Sequence, residues 1–266
     1  MINDVNKQSS GSLTVVGVGI ALGQTTLEAK AHIEQADKVY YLVSNPTAIR
    51  WLEQLNVTSE SLYSTYEIGK PRIVSYKEMI ERILASVRQG LNVCAAFYGH
   101  PGIFAYPGHE AIKIARREGY TACMLPGVSS EDYLFAELGV DPSQYGCQSF
   151  EATDFLISSP IFNSASMLIL WQVGMIGEPS FQHKSKKLEI GIELLLERLL
   201  PEYGPDHVIT VFEGAMFPVC ESKILDIPLG RIRDAKLNAV STLYIPPCRP
   251  RTTEWDVIRQ FGMEPG

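Results

Sequence analysis

The chain has 266 residues, of which 45% are hydrophobic and 20% charged, with a formal net charge of −7. That length and composition suit one large globular domain or two compact ones with a sizeable core. The acidic balance argues against a broad phosphate-binding surface, so nucleic acid is not an expected partner. The polar N-terminus, "MINDVNKQSSGS", lacks the apolar stretch of a secretory signal. No run is apolar for long enough to span a membrane; the best candidate, "SMLILWQVGMIG", is short and holds Gln172. A cytoplasmic protein with no membrane partner is expected. Cys94, Cys123, Cys147, Cys220 and Cys248 are widely spaced, without a CxxC pair, and the histidines show no ligand spacing. Neither a metal site nor a disulfide framework is expected.

In chain order, "SLTVVGVG" (12–19) is a β-branched apolar run ending in glycines, and "TTLEAKAHIEQA" (25–36) carries Leu27, Ala31 and Ile33 at near-helical spacing. "KVYYLV" (38–43) is strand-like and stops at Asn45-Pro46. "YKEMIERILASVRQG" (76–90) puts Met79, Ile80, Ile83, Leu84 and Val87 on one helix face before a glycine stop. "NVCAAFYG" (92–99) is a strand, "HEAIKIARREGY" (109–120) a helix and "TACML" (121–125) a short strand. Continuously apolar strands alternating with helices predict a parallel sheet covered on both faces. "PGVSSEDYLFAELG" (126–139) offers Ser129 or Ser130 as a helix cap and ends in Gly139. "DPSQYGCQSFEA" is loop-rich. Strand "SMLILWQV" (166–173), helix "KKLEIGIELLLERLL" (186–200), strand "HVITVFEG" (207–214) and strand "AVSTLYIPP" (239–247) follow, and predict a second α/β domain with a mixed sheet. The expected division is 1–125, 126–248 and a tail, 249–266, with a short amphipathic helix through Trp255, Ile258 and Phe261.

"GVGIALG" (17–23) invites a dinucleotide reading, but Leu22 stands where a third glycine belongs, and "KVYYLVSNP" ends without an acidic residue to hold a ribose. A strand closing in a tight turn before a helix explains it equally well. Neither a GxxxxGK[ST] phosphate loop nor a GxSxG nucleophile elbow is present. "YGHPG" (98–102) ends an apolar strand, where open α/β sheets bind ligands, and its glycines permit close backbone approach. A plain structural turn is the alternative. Tyr63, Tyr66, Arg72 and Tyr76 fall within one short segment. By themselves they fit either partly buried tyrosines beside a surface arginine or a site.

Together, Gly17–Gly19, "GHPGIFA" (99–105) and "PGVSSEDYLFAELG" resemble the tetrapyrrole methylase superfamily, which uses S-adenosylmethionine and releases S-adenosylhomocysteine. The resemblance runs from residue 12 to 247 and implies two α/β domains of the tetrapyrrole-methylase type with the cofactor cleft between them. Enzymes of corrin and porphyrin synthesis usually carry a "GPGDP"-like turn after the first strand, whereas this chain has "GIALGQTT". "LYSTYEIGKPRIVSYKEM" (62–79), "FYGHPGIFA", "CQSFEATDFL" (147–156), "WQVG" (171–174) and "VSTLYIPP" (240–247) are closer to the peptide backbone α-N-methyltransferases of the borosin class. Several members of that class carry their substrate as a C-terminal extension. This sequence stops soon after "YIPP", so the expectation is a split member acting iteratively on a separate precursor peptide, as a homodimer or a 2:2 complex with it.

The resemblance implies Tyr76 as the base, Arg72 as the group that polarises the amide oxygen and favours the Tyr76 phenolate, and Tyr98 as a donor to the substrate amide. It places Tyr63 and Tyr66 along the peptide path. For the cofactor it implies Tyr98, His100, Ile103, Ala105, Gln172, Gly214, Ser241 and Thr242. "FEGAMFP" around Gly214 departs from the more common alanine. A small-molecule methyltransferase of the same fold and a non-catalytic cofactor-binding protein are the competing expectations.

Overall fold

Strand β4 (Asn92–Phe97) shows how the first sheet is built. In this computed structural model, which describes residues 11–178, 186–217 and 219–263, every β4 residue after Asn92 is buried, yet successive side chains go to different cores. Val93, Ala95 and Phe97 join Met79, Ile80, Ile83 and Leu84 of α3 (Arg72–Arg88) and Ala111 and Ile112 of α4 (Tyr106–Arg117). Cys94 and Ala96 join Ala29 and Ile33 of α1 (Leu27–Gln35) and Ala48 and Leu52 of α2 (Pro46–Leu55). The period of two in a strand makes both faces apolar, and helices cover both. β1 (Ser12–Gly17), β2 (Lys38–Leu42), β3 (Glu60–Ser61) and β5 (Thr121–Met124) complete the sheet in the order β3-β2-β4-β1-β5, and all of its pairings are parallel.

The apolar face anticipated for α3 is the buried one: Met79, Ile83, Leu84 and Val87 are fully buried. Each such side chain contributes roughly 1.5–3 kcal/mol of transfer free energy. Helix starts follow local chemistry. Thr26 accepts from the Ala29 N–H to open α1, and Asn45 accepts from the Thr47 and Ala48 N–H groups before Pro46 in α2. Helix α5 (Ser130–Leu138) begins in a capping box, with Ser129 Oγ accepting from Asp132 N–H and Asp132 Oδ2 accepting from Ser129 N–H, and ends at left-handed Gly139.

The chain divides into two compact units, and the first runs to Gly139 and takes back Gly214–Lys223. This differs from the expected break at 125. Gly127 and Tyr133 explain it, because the first lies against Gly17 and Pro101 and the second against Gly214.

The second unit contains α6 (Pro142–Tyr145), β6 (Cys147–Glu151), α7 (Ala152–Ser158), β7 (Met167–Trp171), α8 (Lys186–Tyr203), β8 (Val208–Glu213), β9 (Lys223–Pro228, all but Lys223 in this unit), β10 (Thr242–Ile245) and α9 (Trp255–Gln260). Its sheet has the order β6-β7-β10-β8-β9. It is mixed, as anticipated: β6 runs parallel to β7, while β10 runs antiparallel to β7 and β8. Phe155, Leu168, Leu170, Leu195, Leu199, Ile209, Val211 and Leu243 share its core. The stretch read as a loop-rich join holds α6 and the edge strand β6, and β9 forms the opposite edge. Neither edge strand carries a continuous apolar run, because edge strands are only half covered. The expected tail helix forms as α9 and leaves Trp255 and Phe261 exposed. Residues 1–10 of the polar N-terminus, Pro218 of "FEGAMFP" and residues 264–266 of the tail lie outside the described residues.

Candidate active site

In the first unit, three separated motifs converge beyond the carboxyl ends of the parallel strands, where this architecture places ligands. Val18 N–H donates to Phe97 O at 2.9 Å, extending the β1–β4 register past Gly17. Gly19 and Gly99 then exchange backbone hydrogen bonds, with Gly99 N–H donating to Gly19 O at 3.0 Å and Gly19 N–H to Gly99 O at 3.4 Å. A Cβ on Gly17 would lie 2.2 Å from Gly99 O and 2.7 Å from Pro101 Cδ. Only glycine fits there. One on Gly127 would meet Gly17 Cα and Pro101 Cδ at 3.5 Å. "GVG", "YGHPG" and "PGVSS" therefore form one backbone-lined floor.

The loop after β4 is held by its own histidines. Gly102 N–H donates to His100 Nδ1 at 3.0 Å, which leaves the proton of the neutral ring on Nε2. His109 donates Nε2–H to Gly102 O at 2.8 Å. Ile103 N–H bonds His100 O, and the Ile103 and Phe104 side chains are exposed. Phe104 has φ 51°, a left-handed value that is costly for an aromatic residue and that clusters at functional sites. Ala105 then caps α4.

The sequence-predicted tyrosines and Arg72 stand together in this unit. Arg72 opens α3, and Tyr76 follows one turn later on the same face. Tyr66 lies edge-on to Tyr63 at 5.7 Å and to Tyr76 at 6.4 Å between ring centroids. Burial holds the Tyr66 hydroxyl well above the usual phenol range. The Tyr76 and Tyr63 charges and a hydrogen bond to Tyr76 add to this, and the Arg72 charge opposes it. The Arg72 charge therefore reaches Tyr66, and Tyr66 keeps its proton. Tyr98 falls one residue past the end of β4, half-buried. Burial first, and then the neighbouring Tyr133, push its hydroxyl up to about 12. At neutral pH Tyr98 is a hydrogen-bond donor.

Gly214 also belongs to the first unit. A Cβ there would lie 2.8 Å from Cδ1 and Cε1 of Tyr133, whose hydroxyl donates to Ala215 O at 3.3 Å. The glycine in place of the expected alanine is thus the partner of an aromatic ring.

In the second unit Gln172 follows β7 directly, with φ 57°. It lies past the apolar strand rather than inside it, and its backbone is strained in the manner of Phe104. Val173 N–H donates to Ser241 O at 3.0 Å, so Gln172 and the buried Ser241 and Thr242 are neighbours. The Ser241 hydroxyl is already committed. It donates to Glu213 Oε1 at 2.6 Å and accepts from Asn238 N–H at 2.8 Å, while Asn238 Nδ2 donates to Glu213 Oε2 at 2.7 Å.

Sequence reasoning missed Tyr106, Tyr133, Glu213 and Asn238. Only Glu213 carried a signal, as an acid closing an apolar strand. Among the described residues no His, Cys, Asp and Glu cluster could hold a metal, and no helix is long and apolar enough to cross a membrane. Cys94 is a core residue whose thiol burial pushes up to about 12.

A family model for tetrapyrrole (corrin/porphyrin) methylases matches residues 12–219. The chain is 43% identical over 264 residues to a methyltransferase/ribosomally synthesized cyclic peptide precursor for gymnopeptides from Gymnopus fusipes, covering 97% of this chain and 62% of that protein. It is 41% identical over 262 residues to a methyltransferase/type I borosin cyclic peptide precursor from Serendipita vermifera subsp. bescii, covering 96% and 63%. It thus spans less than two thirds of the length of either relative. Among solved structures, uroporphyrin-III-C-methyltransferase from Thermus thermophilus superposes with a TM-score of 0.65 at 19% identity, over 90% of this chain and 93% of that one, a likeness of fold.

Proposed function

The chain belongs to the tetrapyrrole methylase family, and from that premise we propose that it methylates backbone amide nitrogens of a ribosomally made precursor peptide, iteratively, with S-adenosylmethionine as donor. One observation carries the reading: Tyr66 packs edge-on against Tyr76, and Arg72 stands one turn before Tyr76 on the same helix face. Amide N-methylation needs that set. The nitrogen lone pair is shared with the carbonyl, so the N–H proton must leave while charge builds on the oxygen. Tyr76, as phenolate, takes the proton from nitrogen. Tyr66 keeps its own proton and donates to the Tyr76 oxygen, and Arg72 stabilises the negative charge. Tyr98, held neutral, donates a hydrogen bond toward the developing oxyanion. The bound donor supplies an electrophilic methyl on a sulfonium.

The glycine-lined floor is the proposed seat of that donor, because Gly17 admits no side chain and the main chain lies bare beyond the strand ends. His100, through Nε2–H, Ile103 and Ala105 would hold it beside Tyr98, with Gly214 as a further contact in the same unit. The strained Gln172, with Ser241 and Thr242, forms a second candidate contact group. The Ser241 hydroxyl is already committed, so its contribution there is from the backbone. A homodimer is part of the reading. Its support is the uncovered apolar surface of Ile68, Ile73 and Val74, which flank Arg72 in sequence; light scattering tests it.

The names of the relatives join methyltransferase and precursor in one protein. Supplying the precursor as a separate chain therefore tests the separate-precursor arrangement as well. The experiment is incubation of chain, precursor peptide and S-adenosylmethionine, followed by fragmentation mass spectrometry. Successive 14-Da additions on backbone nitrogens are expected, with Tyr76→Phe lowering the rate at least about 100-fold. Methyl groups confined to side chains, or none, sink the proposal.

A further inference from the structure

Tyr106 was not among the expected site residues, yet its ring packs on Tyr76 and its backbone continues the loop after β4. It is the first residue of α4, directly after Ala105, so it continues the loop that runs from Gly99. Its ring centroid is 6.0 Å from that of Tyr76, tilted by 32°. Tyr66 holds Tyr76 edge-on from another neighbour position, at 6.4 Å and 74°. The proposed base therefore has an aromatic contact on each of two elements, one ring from the segment before α3 and one from the end of the cofactor loop.

The backbone behind Tyr106 is anchored. Pro107 and Gly108 are buried, and a Cβ on Gly108 would lie 3.1 Å from Val15 Cγ1 of β1 and 3.2 Å from Pro101 O. The backbone ahead of it is strained at Phe104. Residue 106 thus stands between a strained loop and a helix start packed on the sheet. The Tyr106 side chain is 42% exposed, so its contribution to the core is small. Its ring contact with Tyr76 is its distinguishing feature.

We infer that Tyr106 is a positioning residue that couples occupancy of the loop His100–Ala105 to the orientation of Tyr76. Filling the floor settles the loop, the loop sets the first residue of α4, and the Tyr106 ring sets the face of Tyr76 offered to the peptide. The inference rests on the proposed function for what Tyr76 does, though not for the coupling itself.

The test uses the full chain with 3-fluorotyrosine at position 76, titrated with S-adenosylhomocysteine and followed by fluorine NMR. The parent resonance is expected to shift on binding. In Tyr106→Ala and Tyr106→Leu the free and bound resonances should coincide, with affinity within about threefold of the parent. In peptide turnover, the same variants should lose about tenfold in kcat with KM nearly unchanged, and Tyr106→Phe, which keeps the ring, should recover both readouts. A parent-like fluorine response in both Tyr106→Ala and Tyr106→Leu overturns the coupling, as does a Tyr106→Phe variant as impaired as Tyr106→Ala. If the parent puts no methyl on backbone nitrogen, the functional reading fails, and the fluorine arm still decides the coupling.

Discussion

Replacing Gly17 by alanine tests whether the floor is built as described. The new methyl would sit 2.2 Å from Gly99 O and 2.7 Å from Pro101 Cδ. A carbon–oxygen contact needs about 3.3 Å, so the β1 and β4 ends must part by about 1 Å. Both flanking partners are constrained, one as backbone and one as a proline ring, so no side-chain rotation relieves the clash. Overpacking of this kind costs about 1–3 kcal/mol. Breaking one of the Gly19–Gly99 hydrogen bonds adds about 1 kcal/mol. The sum, about 2–4 kcal/mol, corresponds to a melting point lowered by roughly 5–15 °C for a unit of this size. Two controls bracket it. Gly23 has nothing within 4 Å of a Cβ, so Gly23→Ala should melt with the parent. Gly99 has φ 70° but only Ile20 Cδ1 nearby, at 3.6 Å, so Gly99→Ala should show left-handed strain alone, about 1–2 kcal/mol. Circular-dichroism melts of the three variants are expected in the order Gly17→Ala lowest, then Gly99→Ala, then Gly23→Ala. A Gly17→Ala protein melting within about 2 °C of the parent, or no lower than Gly23→Ala, refutes the convergence of the three motifs.

The ionisation of Tyr98 gives a pH prediction. Its hydroxyl is raised from 10.0 to about 12, so between those values the unfolded chain gives up a proton that the native state keeps. Raising the pH through that window therefore erodes stability, by up to about 2–3 kcal/mol for this group. Tyr41, Tyr66, Tyr203 and Tyr244 are displaced in the same direction by burial, so Tyr98→Phe should flatten the urea-midpoint slope above pH 10 without abolishing it; an unchanged slope contradicts the burial. Gly214→Ala should cost about 1–2 kcal/mol by displacing the Tyr133 ring, and Tyr133→Ala should remove that penalty in a double-mutant cycle; strict additivity would refute the contact. Glu213→Ala strips an acceptor from Ser241 Oγ and Asn238 Nδ2 and should destabilise the second unit by about 1–3 kcal/mol, measured by calorimetry.

How much of this was legible follows the range over which each signal acts. Met79, Ile80, Ile83, Leu84 and Val87 recur at helical spacing, and periodicity alone placed them inward. The sequence offered Ser129 or Ser130 as the cap of α5, and the bond from Asp132 N–H decides for Ser129. β6 and β9 were illegible because an edge strand answers to its one neighbour and needs no apolar run. The break at 125 moved to Gly139 because Gly214, which holds Tyr133, comes from 81 positions along the chain, and nothing near either residue announces the other. Arg72 and Tyr76 share a helix face by their spacing, whereas the approach of Tyr106 to Tyr76 depends on how α3 and α4 pack.

The tyrosines are chemically alike in sequence and become unlike in the structure. A phenol in water ionises near 10, so none of them is a base at neutral pH without help. Desolvation raises Tyr66 and Tyr98, which keeps both protonated and makes them donors. On the proposed reading Tyr66 is the donor of the pair, which leaves Tyr76 as the partner that carries the charge. On the same reading Arg72 favours that anion by its charge. A uniformly exposed set of tyrosines would leave the charge on any of them, and a uniformly buried set would suppress it everywhere. Tyr66→Phe separates these cases. If Tyr66 directs the charge, removing its hydroxyl should shift the ascending limb of the rate–pH profile for peptide methylation to higher pH while leaving the peptide KM within about threefold. If Tyr66 merely lines the path, KM moves and the limb stays where it was.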